Sequence, residues 1–310
     1  GSATFKVTYD TTNYYNLGIT ASKTGYQVNG FYDNTLGGKK LWDNGGACLN
    51  DGTYWLNNKW HYAGDVTLYV QWTANTYTIK YDGNGATGGS TASSNHTYDS
   101  AKTLTPNGFV KTGYTFNGWN TQANGKGTSY PDKAYVKNLT VVNNSTVTLY
   151  AQWKANTYTI TYNSNKPVNA STTISGTMSK DTATYDQNYT TRANEYTLPG
   201  YTFVGWNEKA DGTGTDWTGY INKPWRWTYT KNVTLYAQWK ANTYTIKLDG
   251  NGNTSGTMSN INATFDKEIK LPASTFRKTE YHFIGWSTTK NGEVKYKDGA
   301  TIINLTPEQG

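Results

Sequence analysis

The chain has 310 residues, of which 16% are charged and 15% aromatic, led by 27 Tyr and 12 Trp. So many large rings exclude a disordered chain, because their burial offsets the entropy of ordering, and no apolar run approaches the ~18 residues of a spanning helix. The net charge of +7 allows attraction to anionic surfaces, but with Arg confined to positions 192, 226 and 277 the chain lacks the bidentate readers used in specific nucleic-acid recognition.

Thr, Tyr, Val and Ile suit strands, Gly and Asn suit turns, and good helix formers are scarce, so the fold class is mainly β. In chain order, a strand over 5–10 comes first, then the marker Gly25-Tyr26-x-Val28-x-Gly30-Phe31. The closing string Val66-Thr67-Leu68-Tyr69-x-Gln71-Trp72 follows. A strand starting Thr76-Tyr77-Thr78-Ile79 opens the next copy, with a tight turn at Asp82-Gly83-Asn84-Gly85 and a weaker strand ending Tyr98-Asp99. The marker returns as Gly113-Tyr114-x-Phe116-x-Gly118-Trp119, Gly200-Tyr201-x-Phe203-x-Gly205-Trp206 and Glu280-Tyr281-x-Phe283-x-Gly285-Trp286. The closing string returns at 147–153 and 233–239. Its final Trp recurs after 81 and then 86 residues, a period that fits a small domain rather than a solenoid coil. Apolar residues alternate along these strings, as in half-buried strands.

The register divides the chain into four modules: 1–73, 74–154, 155–240 and 241–310. Tyr9-Asp10 aligns with Tyr98-Asp99, Tyr185-Asp186 and Phe265-Asp266, so module 1 lacks the Tyr-Thr-Ile first strand. Asn304-Leu305-Thr306 aligns with Asn138-Leu139-Thr140, which places the closing string of module 4 at about 313, after Gly310. Gly1-Ser2 reads as a tag remnant and the chain as a piece of something longer. The lack of a signal or anchor motif therefore says little about location. Only about two residues (Lys154-Ala155, Lys240-Ala241) separate a closing Trp from the next Asn-Thr-Tyr, which predicts a semi-rigid array.

Cys48 is alone, so no internal disulfide forms. His61, His96 and His282 fall in different modules at no metal-ligand spacing, and no metal or other cofactor is expected. No nucleophile elbow, Walker loop or Rossmann context is present. Glu208, Asp211 and Asp216 lie close together in a turn-rich stretch, with nothing to mark them as a glycosidase pair. The chain reads as non-enzymatic. The Asn-x-Ser/Thr triplets follow from composition, and no pattern singles out a Lys–Asn cross-link.

The tryptophans carry the most information. Trp72, Trp153 and Trp239, like Trp119, Trp206 and Trp286, recur at repeat positions and read as core. Trp42, Tyr130, Trp217 and Tyr296 fall ten or eleven residues after the marker, a further repeat position. Trp55, Trp60, Trp225 and Trp227 have no counterpart in modules 2 and 4 and sit among Asn, Asp, Tyr and Lys. Two readings are open: they pack an insertion onto its own module, or they face solvent and stack on pyranose rings while polar neighbours bind hydroxyls. On the second reading the candidate ligand-binding residues are Trp55, Trp60, Trp225, Trp227, Trp42 and Trp217.

Together these markers resemble the Listeria–Bacteroides repeat, also called the internalin B-repeat family, over nearly the whole chain. Glu280 in place of Gly and Phe31 in place of Trp depart from its pattern. The resemblance implies an elongated tandem array of small β-grasp-like modules on a bacterial surface protein or secreted enzyme, with no catalytic residue. The expectation is an extracellular or cell-surface adhesive spacer, monomeric and not membrane-spanning, with glycan contacts in modules 1 and 3. Its partner would be a glycan or a host or cell-surface macromolecule. The alternatives are a dedicated carbohydrate-binding region of a secreted glycan-degrading enzyme, and a stalk with its Trp pairs buried.

Overall fold

The computed structural model describes residues 4–11 and 17–310; Gly1-Ser2 lies outside them. Among the described residues the elements are strands, with a single 3-10 turn at Thr218–Tyr220. The chain forms two compact units, 1–154 and 155–310, the first holding modules 1 and 2 and the second modules 3 and 4.

Module 3 shows how the repeat is built. Its closing strand Val233–Ala241 runs parallel to the first strand Thr157–Asn163, with Ile160 opposite Val233 and Tyr162 opposite Leu235. Its other edge is antiparallel to the marker strand Tyr201–Asn207, and Asp181–Thr184 extends the sheet beyond the first strand. The alternation read from the sequence sends Val233, Leu235 and Ala237 into the core together. Module 2 repeats the arrangement in the order Ser129–Tyr130, Tyr114–Asn120, Ser145–Ala155, Thr76–Asp82, Ser94–Thr97, with Val147 opposite Ile79 and Leu149 opposite Tyr81.

The glycine of the marker makes a bulge. The ladder slips between Phe203 and Gly205, and Gly205 has φ +156. A Cβ there would lie 1.8 Å from Thr218 Oγ1, so only glycine fits. The extra residue lets Phe203 and Trp206 both turn inward, with ring centroids 5.1 Å apart. Trp206 is fully buried against Ile160, Tyr162 and Leu235, and its Nε1 donates to Arg192 O at 3.0 Å. Trp119 is equally buried in module 2 and Trp286 nearly so in module 4, as their recurrence predicts.

Within each unit the modules are joined more tightly than the expected two-residue linkers. Lys240 and Ala241 belong to the closing strand, leaving Asn242 alone between that strand and Thr243–Ile246. Asn242 N donates to Gly200 O at 2.8 Å, its carbonyl accepts from Phe265 N at 2.9 Å, and its Nδ2 donates to Pro307 O at 2.7 Å. Asn75 does the same with Gly25 O (2.9 Å), Tyr98 N (2.8 Å) and Val141 O (2.6 Å). A Cβ at Gly200 would meet Phe265 at 2.3 Å, and one at Gly25 would meet Tyr98 at 2.2 Å. The marker tyrosines complete the clamp: Tyr26 donates to Asp99 and Tyr201 to Asp266, each at 2.9 Å. Asn138 and Asn304 hold these same aspartates through both side-chain and backbone atoms.

Module 1 departs from the sequence expectation. Residues 5–10 form no strand, but their register holds. Asp10 (φ 60°), Asp99 (61°), Asp186 (62°) and Asp266 (56°) share one left-handed conformation.

Two outcomes follow. Trp206→Ala should cost about 3–5 kcal/mol, as buried aromatic truncations do, and calorimetry should show module 3 melting apart from the rest. At Asp266, burial alone would raise the carboxyl pKa. The hydrogen bonds from Ser171, Asn304 and Tyr201 outweigh burial and hold it at about 2, against the usual 3.8. A depressed carboxylate stabilises the fold above its unfolded pKa, so this contribution should be complete above pH 3.8 and vanish as pH falls through about 2. Melting curves of wild type and Asp266→Asn should converge across that window.

Candidate functional site

The tryptophan clusters of modules 1 and 3 are built on different strand pairs, a local hairpin of Trp55–Leu56 and Lys59–Trp60 in module 1 and a long-range pair in module 3. In module 3, Pro224–Arg226 pairs with Asn188–Thr190, setting Trp225 opposite Tyr189. The equivalent pairs are Val136 with Lys102 in module 2 and Ile302 with Ile269 in module 4. Asp186 N donates to Trp227 O at 2.9 Å and Asp10 N to Trp60 O at 2.8 Å, where Asp99 N and Asp266 N each reach an Asn side chain at 2.6 Å. Trp225 therefore stands in the place of Val136 and Ile302, and Trp60 and Trp227 in the place of Asn138 and Asn304. These tryptophans do have counterparts; they are substitutions within the repeat.

Burial does not follow that placement: Trp225 is half-buried where Val136 and Ile302 are buried, and Trp60 and Trp227 are buried where Asn138 and Asn304 are half-buried. Trp42, Trp55, Trp217 and Trp227 are at most 1% exposed and Trp60 is 6% exposed, so these five do not present ring faces to solvent. In module 1, Trp42, Trp55 and Trp60 meet with centroids 5.4–6.2 Å apart, and Trp55 and Trp60 face each other across a short hairpin. In module 3, Trp217 packs on Trp227 at 5.8 Å and on Tyr229 at 5.4 Å, while Trp227 meets Tyr189 at 5.4 Å. Trp227 Nε1 donates to Tyr229 O at 2.9 Å and Trp217 Nε1 to Glu208 Oε1 at 3.1 Å.

Trp225 differs. It is half-buried, resting on Trp217 at 5.1 Å, and it lies 5.1 Å from Tyr220, itself 45% exposed. Beside these rings Arg226 pairs with Asp186 at 2.9 Å, and Trp225 Nε1 reaches Thr191 Oγ1 at 3.4 Å. Tyr220 was not singled out from the sequence, although it shares the aromatic segment 220–229. In module 1 the comparable exposed ring is Tyr62, 4.9 Å from Tyr54.

Asp211 and Asp216 do not fit the raised acid of a glycosidase pair. Hydrogen bonds from the Thr213 backbone and hydroxyl hold Asp211 below the usual carboxylate range, and those from Thr218 do the same to Asp216. A glycosidase acid needs the opposite shift. Burial, then Tyr162, pushes Tyr189 far up, so its hydroxyl stays a donor to Asp181 at 3.0 Å. Among the described residues no three His, Cys, Asp or Glu gather to hold a metal ion, and no helix is long and apolar enough to cross a membrane.

The bulged marker strand beside a parallel first-and-closing pair coincides with a known sequence family. The profile of the Listeria–Bacteroides repeat domain matches residues 77–152, 158–238 and 244–306. The chain belongs to this family. It is 28% identical over 273 residues, or 86% of its length, to a protein of Evansella cellulosilytica named as a Gly-rich membrane protein. It is 27% identical over 234 residues, or 74% of its length, to a second protein of that organism named as a membrane protein. It covers 28% and 31% of those relatives. Internalin H of Listeria monocytogenes is 32% identical over 100 residues, 32% of this chain and 16% of that protein.

The two kinds of tryptophan in module 3 of this Listeria–Bacteroides repeat chain should respond differently to truncation. Trp227→Ala should destabilise module 3 by about 3–5 kcal/mol. Trp225→Ala, removing a half-exposed ring, should cost under about 2 kcal/mol. Denaturant titration of both variants measures the difference.

Proposed function

We propose that this chain is a non-catalytic repeat region of a bacterial cell-surface or secreted protein, an adhesive spacer that touches glycans through Trp225 and Tyr220 of module 3. Membership of the Listeria–Bacteroides repeat family and the partial likeness to an internalin support the surface assignment. The observation that carries the glycan contact is the half-exposed Trp225 beside the exposed Tyr220, while the other five candidate rings are buried. A braced indole offers a flat apolar face for a pyranose, and neighbouring charged and hydroxyl groups suit sugar hydroxyls. Module 1, with Trp55 and Trp60 in its core, contributes spacing. The burial of those five rings favours one competing reading, a spacer with no sugar site.

Titrating the chain with soluble plant, mucin and cell-wall glycans while following tryptophan fluorescence separates the two. Glycan contact predicts a saturable change that Trp225→Ala and Tyr220→Ala each remove without lowering the melting temperature by more than a few degrees. No change with any glycan, or one that survives in both variants, leaves the spacer alone.

A further inference from the structure

Among the described residues His96 is the one histidine that the fold buries, at 2% exposure. It lies on Ser94–Thr97, the edge strand of the module 2 sheet, directly opposite Tyr77. The same register position is Ala183 opposite Tyr158 in module 3 and Ala263 opposite Tyr244 in module 4. The shared fold is thus built without an imidazole at this place.

The ring is satisfied at one nitrogen. It stacks on Tyr77 with centroids 5.6 Å apart and an interplanar angle of 22°. Nε2 lies 2.9 Å from Ser94 Oγ, which lies 3.2 Å from the Tyr81 hydroxyl, the acceptor of Thr105 N at 2.8 Å. Nδ1 is buried without a hydrogen-bond partner. A neutral imidazole has one donor and one acceptor nitrogen, and the Ser94 hydroxyl suits either at Nε2. In the protonated ring both nitrogens donate. Nδ1–H then becomes a charged donor in the interior with no acceptor, which costs more than an unused neutral group.

The surrounding charges add to that cost. Lys102 reaches the same strand, its Nζ donating to Asn95 O at 2.8 Å. The first strand presents Tyr77 and Tyr81, whose hydroxyls accept from Leu139 N and Thr105 N. Its carboxylate, Asp82, accepts from Asn84 N, and Asp99, two residues past the edge strand, is held by Tyr26 and Asn138. Neither carboxylate bonds the imidazole, whose hydrogen-bond partner is Ser94. Burial, and then the Lys102 ammonium, hold the His96 pKa below the usual 6.5.

The edge strand runs straight into the joint between modules 1 and 2. Two residues beyond His96, Tyr98 N donates to Asn75 O at 2.8 Å, and the Tyr98 ring lies against Gly25. Asp99 then takes the Tyr26 hydroxyl at 2.9 Å.

We propose that His96 is an acid-sensitive release: its protonation frees Ser94–Thr97 from the sheet, and with that strand the grip of Tyr98 and Asp99 on module 1. Once the strand opens, the imidazole titrates as in water, at about 6.5. The closed state keeps it neutral to lower pH. Below 6.5 the open state therefore binds the extra proton, and opening gains about tenfold per pH unit until the closed-state pKa is reached. Above 6.5 neither state is charged and the joint stays closed.

Amide hydrogen exchange of the full chain at about pH 7.5 and about pH 5.5, corrected for the intrinsic rate at each, tests this. Protection at 94–99 should fall about tenfold at the lower pH, and the His96 ring resonances should titrate below 6.5. His96→Ala, the residue of modules 3 and 4, and the uncharged His96→Gln should each flatten that pH dependence, whatever they do to protection at the higher pH. Equal protection at the two pH values, a fall that persists in both variants, or titration of His96 at or above 6.5 overturns the proposal. A fall confined to 94–97 that spares the Tyr98 amide overturns the coupling to module 1.

Discussion

The parallel pairing of the closing strand with the first strand is the constraint on which modules 2 and 3 depend. It joins the two ends of a module's sequence and places the string richest in alternating apolar residues at the centre of the sheet. Because both of its edges are used, the closing strand orders its neighbours as well as itself. The bulge that turns Phe203 and Trp206 inward is a feature of its antiparallel edge. The single asparagine that joins one module to the next follows directly from its end. In module 4 the marker residues keep Trp286 buried but form no ladder.

A second theme is one position filled in two ways. Asp99 and Asp266 adopt a left-handed turn capped by an asparagine amide, whereas Asp10 and Asp186 adopt the same turn and bond a tryptophan carbonyl. Only the backbone partner is conserved in role between Trp60 and Trp227. The freed side-chain position then carries an indole into the core, so Trp60 and Trp227 join the cores of modules 1 and 3 where modules 2 and 4 place the half-buried Asn138 and Asn304. The extra tryptophans are accounted for mainly by packing, and Trp225 alone among them reaches the surface.

Much of this was legible in the sequence because it is periodic. The markers, the alternation within each string and the register of the aspartates all rest on spacing, and spacing survives folding. The burial of Trp55, Trp60 and Trp227 was not legible, because it depends on which distant segment each short strand pairs with. The clamp between Asp99 and Asn138 was hidden for the same reason: its partners are 39 residues apart and each looks like an ordinary turn residue. The strand expected over 5–10 does not form; alternation marks a segment able to pair, while pairing needs a partner.

The same central pair decides how a complete module would behave as a mechanical element. The chain comes in at the start of the first strand and leaves at the end of the closing strand, and these are parallel neighbours. Tension along the chain would therefore slide the two strands past each other. The ladder from Ser145 opposite Tyr77 to Tyr150 opposite Asp82 would be loaded in shear, all rungs at once. A hairpin gripped at its open end yields one rung after another. Resistance to force in this protein would thus scale with the length of the parallel ladder, and the rate of rupture, rather than equilibrium stability, would set how long a module holds under load.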